Sequence, residues 1–154
     1  MEMPKVTDQH RKLYALAGDW EGTETMAESP WGPAGTAIGK LHIRTDMNGF
    51  FVLQDYIQEK ERKVTFSGHG IFGYDLEAGN YTWYWVDSLG FVPDAPARGK
   101  FEGDTLKLEK SSARGGARYT HRLEGKNNYH FTIENSFDQG KTWQTFLTAA
   151  YRRK

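Results

Sequence analysis

The 154-residue sequence contains no cysteine, which excludes disulfides, thiolate zinc sites and a thiol nucleophile. It also lacks eighteen consecutive apolar residues, the length at which a membrane-spanning helix becomes a candidate. The residues from Met1 to Trp20 are polar and charged and carry no apolar run of signal-peptide length. We therefore expect a soluble, non-exported protein of the cytoplasm that has no membrane partner.

An excess of charge of one sign is missing as well. Lysine plus arginine number 20 and aspartate plus glutamate also number 20, so the formal net charge is zero. A chain without a net positive field has little attraction for polyanions. Nucleic acid is therefore not an expected partner.

Glycine and aromatic residues, by contrast, are abundant. The chain has 17 glycines, and Phe, Trp and Tyr make up 14% of it, a composition that suits short strands, tight turns and aromatic walls. Helix signals occur once, at about residues 7–17, where Thr7 can cap a helix and Gly18 can end it. The chain is expected to form one mostly β domain over residues 1–154, with a short N-terminal helix.

Strand-like runs follow from Trp20 to the end of the chain, separated by turn signals at a spacing of roughly 10 to 15 residues. This spacing is typical of an all-β sandwich or barrel. The predicted strands cover residues 19–26, 37–46, 50–58, 63–74, 80–88, 97–102, 105–112, 117–124, 128–137 and 142–152.

The connections between these strands alternate in kind. Those after the second, fourth, sixth and eighth strands are short glycine turns, and Asn48-Gly49 is the strongest hairpin signal among them. The first and fifth connections are long and apolar and carry Trp31 and Phe91. In an up-and-down barrel, all even connections lie at the end where the N-terminal helix precedes the first strand. We therefore expect an antiparallel up-and-down closed β-barrel of about ten strands, closed by the helix and covered at the other mouth by Trp31 and Phe91 as lids.

Several short motifs resemble a known superfamily. Gly18-Asp19-Trp20, directly after the short helix, resembles the Gly-x-Trp signature that opens the first strand of lipocalins and other calycin barrels. The Arg152-Arg153 pair resembles the basic residue that covers this tryptophan at the closed end of such barrels. The resemblance implies a calycin-like barrel with an internal cavity and a structural closed end, at which either arginine could cover Trp20.

A longer series of motifs resembles a bacterial calycin-like family of unknown function, family 1579. The series reads LAGDWEG, Asn48-Gly49-Phe50-Phe51, Gly73-Tyr74-Asp75 and Trp85-Val86-Asp87-Ser88. It spans nearly the whole chain, and it implies a fold without assigning a reaction.

Alternation along the strands identifies side chains for the cavity. With Trp20 taken as inward, Glu24 is inward as well, and Tyr119 shares a face with His121. Asp55 is the polar member of an otherwise apolar face. The candidate ligand-binding residues are Glu24, Asp55, Trp83, Trp85, Tyr119, His121, Phe131, Ile133 and Asn135.

Most of these candidates also have a purely structural explanation. The rings can be plain core or surface cover, His121 can be a hydrogen-bonded core residue, and Asp55 can be a strand-end carboxylate that meets water or an arginine. Glu24 could also pair with Asp87 or Asp55 as an acid and a base. The sequence has no metal-binding, nucleophile-elbow, P-loop or dinucleotide-binding motif, so we predict no metal, no cofactor and no catalytic residue.

These observations favour a protein that binds a small molecule. We expect a cytoplasmic barrel for a neutral or weakly acidic, apolar or aromatic ligand, oriented by Glu24, His121 and Asn135. One alternative is a haem-binding protein or a small-molecule enzyme that uses His121 as axial ligand or base. Another is an interaction protein or homodimer with a filled barrel and an interface of outward aromatics such as Tyr84. The chain is expected to be a monomer or a homodimer.

Overall fold

Ten antiparallel strands close into a barrel in the computed structural model of the chain, which describes residues 1–30, 32–113 and 115–154. Each strand pairs with the next along the chain, and the last pairs with the first. The predicted fold class, an up-and-down closed β-barrel, is confirmed. The strands are β1 (Gly18–Met26), β2 (Gly35–Asp46), β3 (Phe51–Lys60), β4 (Lys63–Asp75), β5 (Asn80–Asp87), β6 (Ala97–Glu102), β7 (Thr105–Ser112), β8 (Gly115–Glu124), β9 (Asn128–Ser136) and β10 (Gln144–Arg153).

The helical segment before β1 is less regular than the sequence predicts. It begins as α1 (Asp8–Lys12) and tightens into a 3₁₀ helix, η1 (Leu13–Leu16). The backbone N–H of Thr7 donates to Nδ1 of His10 at 3.0 Å, which fixes the first turn of α1. A second 3₁₀ turn, η2 (Met47–Gly49), joins β2 to β3. In the described part of the chain, no helix is long and apolar enough to cross a membrane.

Trp20 lies at the closed end of the barrel and is 1% exposed. Its Nε1 donates a hydrogen bond to the carbonyl oxygen of Leu16 at 2.9 Å, and the guanidinium of Arg153 lies 4.2 Å from the centre of the indole ring. Arg153 also donates to the carbonyl oxygens of Ala17 at 2.5 Å and Lys126 at 2.8 Å. Arg153 is therefore the basic residue that covers Trp20, and it ties the last strand to the helical segment and to the β8–β9 turn.

Gly18 joins the helical segment to β1 at a φ of +140°, which side chains rarely tolerate. A Cβ at this position would lie 2.0 Å from Nη1 of Arg153. Glycine is therefore required for Arg153 to reach the carbonyl of Ala17.

The helical segment and the short turns share one end of the barrel. The hydroxyl of Tyr14 donates to the carbonyl oxygen of Gly49 in the β2–β3 turn at 2.8 Å. The hydroxyl of Tyr81, near the start of β5, donates to the carbonyl oxygen of Gln9 in α1 at 2.8 Å. The expected placement of the even connections is thus correct, and the long first and fifth connections lie at the opposite end.

The two ends of the barrel differ in packing. The side chains of Leu13 and Leu16 are buried at the closed end, below Trp20. At the other end β5 pairs with β6 only through Tyr81–Trp83 and Ala97–Gly99. The last part of β5 therefore leaves its neighbour, and this separation helps to form an open mouth.

Replacement of Trp20 by alanine is expected to lower the free energy of unfolding by about 3 to 5 kcal/mol, because it removes a large buried ring together with its hydrogen bond. Denaturant unfolding followed by circular dichroism measures this loss. A loss below about 1 kcal/mol would show that Trp20 does not support the closed end.

Arg153 and Arg152 form a matched pair for a second test, because they are adjacent and Arg153 is the one that covers Trp20. Arg153→Ala is expected to cost about 1 to 3 kcal/mol, since charge-assisted hydrogen bonds and a cation–π contact are lost. Arg152 is exposed, and Arg152→Ala should change the unfolding free energy by less than about 0.5 kcal/mol. Equal effects in the same unfolding assay would contradict the role given to Arg153.

Candidate functional site

A cavity of about 510 Å³ occupies the open half of the barrel. The inner faces of the strands bound it, and residues of the first and fifth connections surround its mouth. Its volume falls within the range of about 300 to 1,000 Å³ that is common for pockets that hold small molecules. The barrel is therefore not filled by its own side chains, which corrects the alternative of a filled barrel.

Aromatic rings form one wall of this cavity. The ring centroids of Trp83 and Trp85 on β5 are 5.3 Å apart, and the ring of Tyr119 lies 4.9 Å from that of Trp83. Phe131 is parallel to Tyr119 at a centroid distance of 6.5 Å. Seven of the nine predicted ligand-binding residues lie on the cavity lining: Glu24, Trp83, Trp85, Tyr119, Phe131, Ile133 and Asn135.

Glycines on β4 leave room for the two indoles. A Cβ on Gly68 would lie 2.4 Å from Cζ2 of Trp85, and a Cβ on Gly70 would lie 2.5 Å from Nε1 of Trp83. Neither distance is possible for a real side chain, so both indoles lie directly against the backbone of β4. The closely spaced glycines of β4 therefore allow the two indoles to pack against this strand.

A buried carboxyl group, that of Glu24, belongs to the cavity lining. Glu24 is 1% exposed, and its Oε1 accepts hydrogen bonds from the hydroxyl of Tyr56 at 2.6 Å and the amide of Gln58 at 2.8 Å. Its Oε2 accepts a hydrogen bond from the hydroxyl of Tyr151. Burial and the charge of Glu24 raise the pKa of both Tyr56 and Tyr151. Both phenols therefore stay protonated at neutral pH and continue to donate to the carboxylate.

Other polar side chains on the cavity lining have donor or acceptor groups that a ligand could use. Oε1 of Gln54 accepts a hydrogen bond from Nε1 of Trp83 at 3.2 Å, while its amide nitrogen has no acceptor among the described residues. Asp87, at the end of β5, accepts from Nε1 of Trp85 at 2.8 Å. Burial and the nearby carboxylate of Asp87 raise the pKa of Tyr119, so this phenol is also a donor at neutral pH. A bound molecule could therefore meet donors as well as acceptors.

His121 points into the barrel, as the alternation predicts, but it does not line the cavity. It lies two positions nearer the closed end than Tyr119, with its ring edge-on to Phe72 at 5.2 Å and to Trp83 at 5.0 Å. This placement corrects the prediction that His121 anchors a ligand, and it removes His121 as an axial ligand or base at the cavity. Alternation defines the face of a strand on which a residue lies, but not its height in the barrel.

The imidazole of His121 is held as a neutral ring. Burial lowers its pKa to about 3, and burial raises the pKa of its partner Tyr129. The Tyr129 hydroxyl lies 2.5 Å from Nδ1, while Nε2 has no hydrogen-bond partner among the described residues. Donation from Tyr129 to Nδ1 leaves the proton on Nε2, so that no bare acceptor nitrogen is buried.

Asp55 lies on the outer surface of the barrel, which corrects its assignment to the cavity. Its side chain is 45% exposed, its Oδ2 accepts from Nη1 of Arg44 at 2.9 Å, and its Oδ1 lies 3.0 Å from Nδ1 of His69. The apolar residues that share its face also point outward, because β3 has polar side chains on its inner face. They are Phe51, Leu53 and Ile57.

The inner face of β3 carries the residues that the sequence analysis missed, Gln54, Tyr56 and Gln58. Direct partners across an antiparallel pair share a face, and Leu41 pairs with both Trp20 and Tyr56. Because Trp20 points inward, its partner Leu41 points inward as well. The register of the β2–β3 hairpin then places Tyr56, the other partner of Leu41, on the inner face. The hairpin signal at residues 48–49 could have given this register.

The mouth of the cavity carries one of the two residues expected to act as lids. Phe91 lines the rim together with Leu89 and Val92, and its role as a lid stays a prediction. Trp31 lies outside the described residues. In the portion of the chain that is described, no cluster of three or more histidine, aspartate or glutamate side chains could hold a metal ion.

Comparison with known proteins bears on the family and the fold. The family model described as "Protein of unknown function (DUF1579)" matches residues 5–153. The crystal structure of Rv2717c from M. tuberculosis is similar with a TM-score of 0.70 at 15% identity, covering 97% of this chain and 99% of that chain. The S-type phycobiliprotein lyase CPES from Guillardia theta is similar with a TM-score of 0.67 at 11% identity, covering 98% of each chain. No curated protein matches the sequence. At these identities the two structures establish the fold alone.

The low pKa of His121 predicts a pH dependence of stability. The unfolded side chain binds a proton near pH 6.5 and the folded one at about 3, so the unfolded chain binds more protons between these values. The free energy of unfolding should therefore fall as the pH decreases through this window. His121→Asn cannot titrate there, so its destabilisation relative to the parent should be smaller at about pH 4.5 than at about pH 7 in urea unfolding. An equal difference at the two pH values would contradict a buried neutral imidazole.

Proposed function

This chain belongs to the DUF1579 family of proteins of unknown function, and we propose that it is a binding protein that holds a small, largely apolar or aromatic molecule in its barrel. The observation that carries the proposal is the cavity of about 510 Å³, which has an aromatic wall and a few fixed polar groups. This combination of size, apolar lining and sparse polar anchors is typical of small-molecule sites.

The aromatic wall supports a flat ligand. Trp83 and Trp85 are fixed by hydrogen bonds from their indole nitrogens to Gln54 and Asp87. Because these bonds hold the rings in place, the side chains lose little conformational entropy when a ligand stacks on them. Tyr119 and the amide nitrogen of Gln54 are donors that could orient a carbonyl or hydroxyl group of the same ligand.

The charges of the lining support a ligand without a negative charge in the cavity. The sequence predicts a neutral or weakly acidic ligand, but Glu24 and Asp87 both contribute carboxylates to the lining. An acidic group held between them would be repelled at short range. The lining lysines are Lys60, the last residue of β3, and Lys110, which pairs with Asp94 at 3.5 Å. Neither contacts Glu24.

The haem alternative and the enzyme alternative that uses His121 as a base lose their support, because His121 does not line the cavity. Asp55 is not on the lining either, so only Glu24 and Asp87 of the suggested acid and base residues border the cavity. One structural neighbour is named a phycobiliprotein lyase, and a likeness at 11% identity does not bring its substrate to this chain. The absence of cysteine is consistent with the predicted cytoplasmic location.

Titration with prodan, an uncharged naphthalene dye whose emission shifts to the blue in apolar surroundings, tests the proposal. Saturable binding is expected, with a blue shift of the dye and quenching of tryptophan fluorescence, because Trp83 and Trp85 lie on the cavity wall. Ala117→Phe should weaken binding at least about tenfold, or about 1.4 kcal/mol, because the new ring enters the cavity.

The matched control is Thr120→Phe on the same strand. Thr120 lies opposite Lys107 and Thr132 on the outer face of β8, whereas Ala117 lines the cavity. The control should bind prodan as the parent does. Absence of saturable binding by the folded parent, or equal weakening by the two variants, would overturn the proposal. Native mass spectrometry of protein purified without refolding would show any retained ligand directly.

A further inference from the structure

The cavity contains a negative charge that the barrel does not balance. Three neutral donors, Tyr56, Gln58 and Tyr151, bond to the Glu24 carboxylate. Among the described residues, no lysine, arginine or histidine forms an ion pair with it. A charged group that is 1% exposed has lost nearly all contact with bulk water. Hydrogen bonds from neutral groups offset part of that loss, but they do not neutralise the charge.

Close packing fixes the carboxylate in this place. A Cβ on Gly39 would lie 2.3 Å from Oε2 of Glu24 and 2.9 Å from the ring of Tyr151. The glycine at position 39 thus leaves the space into which Glu24 folds. A carboxylate held on both oxygens and seated against a glycine keeps a defined position, which is a requirement for recognising one group of a ligand.

The rings around this carboxylate suit a cation. Tyr56 donates to Glu24, and its own ring lies 5.7 Å from that of Trp85 and 6.1 Å from that of Phe66. The faces of tyrosine and tryptophan rings attract organic cations, and Trp is the strongest of the aromatic residues in this respect. Asp87, bonded to the indole nitrogen of Trp85, adds a second negative side chain on the same lining.

From these contacts we infer that the preferred ligand is an apolar or aromatic amine whose protonated nitrogen is directed toward Glu24, with its rings against Trp83 and Trp85. This inference rests on the proposed binding function and names the chemical class of the ligand. The ammonium group supplies the counter-ion that the barrel lacks, and it donates to the acceptor capacity left on the carboxylate. A neutral compound of the same shape gains only the contacts with the rings.

A series of three compounds with the same naphthalene ring tests the inference on the unmodified protein. The compounds are 2-naphthylmethylamine, 2-naphthylmethanol and 2-naphthoate, which are cationic, neutral and anionic at neutral pH. Calorimetric titration should give the lowest dissociation constant for the amine, at least about tenfold below that of the alcohol, a difference of about 1.4 kcal/mol. The naphthoate should bind more weakly than the alcohol.

Two matched variants assign the preference to Glu24. Glu24→Gln keeps the shape and removes the charge, so it should abolish the preference for the amine while the alcohol binds nearly as before. Asp55→Asn removes a carboxylate on the outside of the same barrel, so it should retain the preference. Thermal unfolding shows whether each variant is folded, and the three-compound series on the parent decides the inference by itself if Glu24→Gln does not fold.

The outcomes separate the two proposals. If the alcohol binds as tightly as the amine, or if the naphthoate binds most tightly, the ligand class is wrong while the binding function stands. If the preference for the amine survives in Glu24→Gln, its assignment to Glu24 is overturned. If none of the three compounds binds and prodan does not bind either, the proposed function fails and the inference fails with it.

Discussion

The contact between Trp20 and Arg153 is the one on which the barrel depends most. These two residues are the pair nearest the closed end in the ladder between β1 and β10, and this ladder closes the sheet and removes its two open edges. Arg153 spans the gap to the helical segment and to the β8–β9 turn through backbone carbonyls, and Trp20 is bonded to the carbonyl oxygen of Leu16. This end is therefore packed shut, and the cavity opens at the other end.

Because the closed end of the barrel is well packed, the half at the open end can contain a cavity. Apolar side chains below the cavity, including Phe72, Leu106 and Leu108, are almost completely buried and account for much of the hydrophobic stabilisation. Above them, glycines on the inner faces of β2 and β4 leave room for the side chains of Glu24, Trp83 and Trp85. Polar residues of β1, β3 and β10 bond to one another around Glu24. Their hydrogen bonds satisfy the polar groups without closing the cavity.

The sequence predicts the architecture well because the signals for the barrel are local. Turn residues and alternation depend on near neighbours, so the strands, their order and the parity of the connections follow from them. The inner face of β3 is harder to predict, because Phe51, Leu53 and Ile57 make its outer face the more apolar one. A rule that places apolar residues inside therefore selects the wrong face of β3. It also assigns Asp55, which lies on that face, to the cavity. Only the register with β2, which passes from Trp20 through Leu41 to Tyr56, overrides that rule.

His121 and Glu24 show what determines whether an inward residue lies in the packed core or beside the cavity. Both are inward and 1% exposed, but β8 and β1 run in opposite directions relative to the open end. His121 lies three residues before the closed-end terminus of β8, and Glu24 two residues before the open-end terminus of β1. The first is therefore surrounded by rings and is held neutral, whereas the second borders the cavity and accepts hydrogen bonds from three neutral donors. A polar residue deep in the packed half must give up its charge to be tolerated. A carboxyl group beside a cavity is placed differently, because a molecule that enters the cavity can supply a further partner for it.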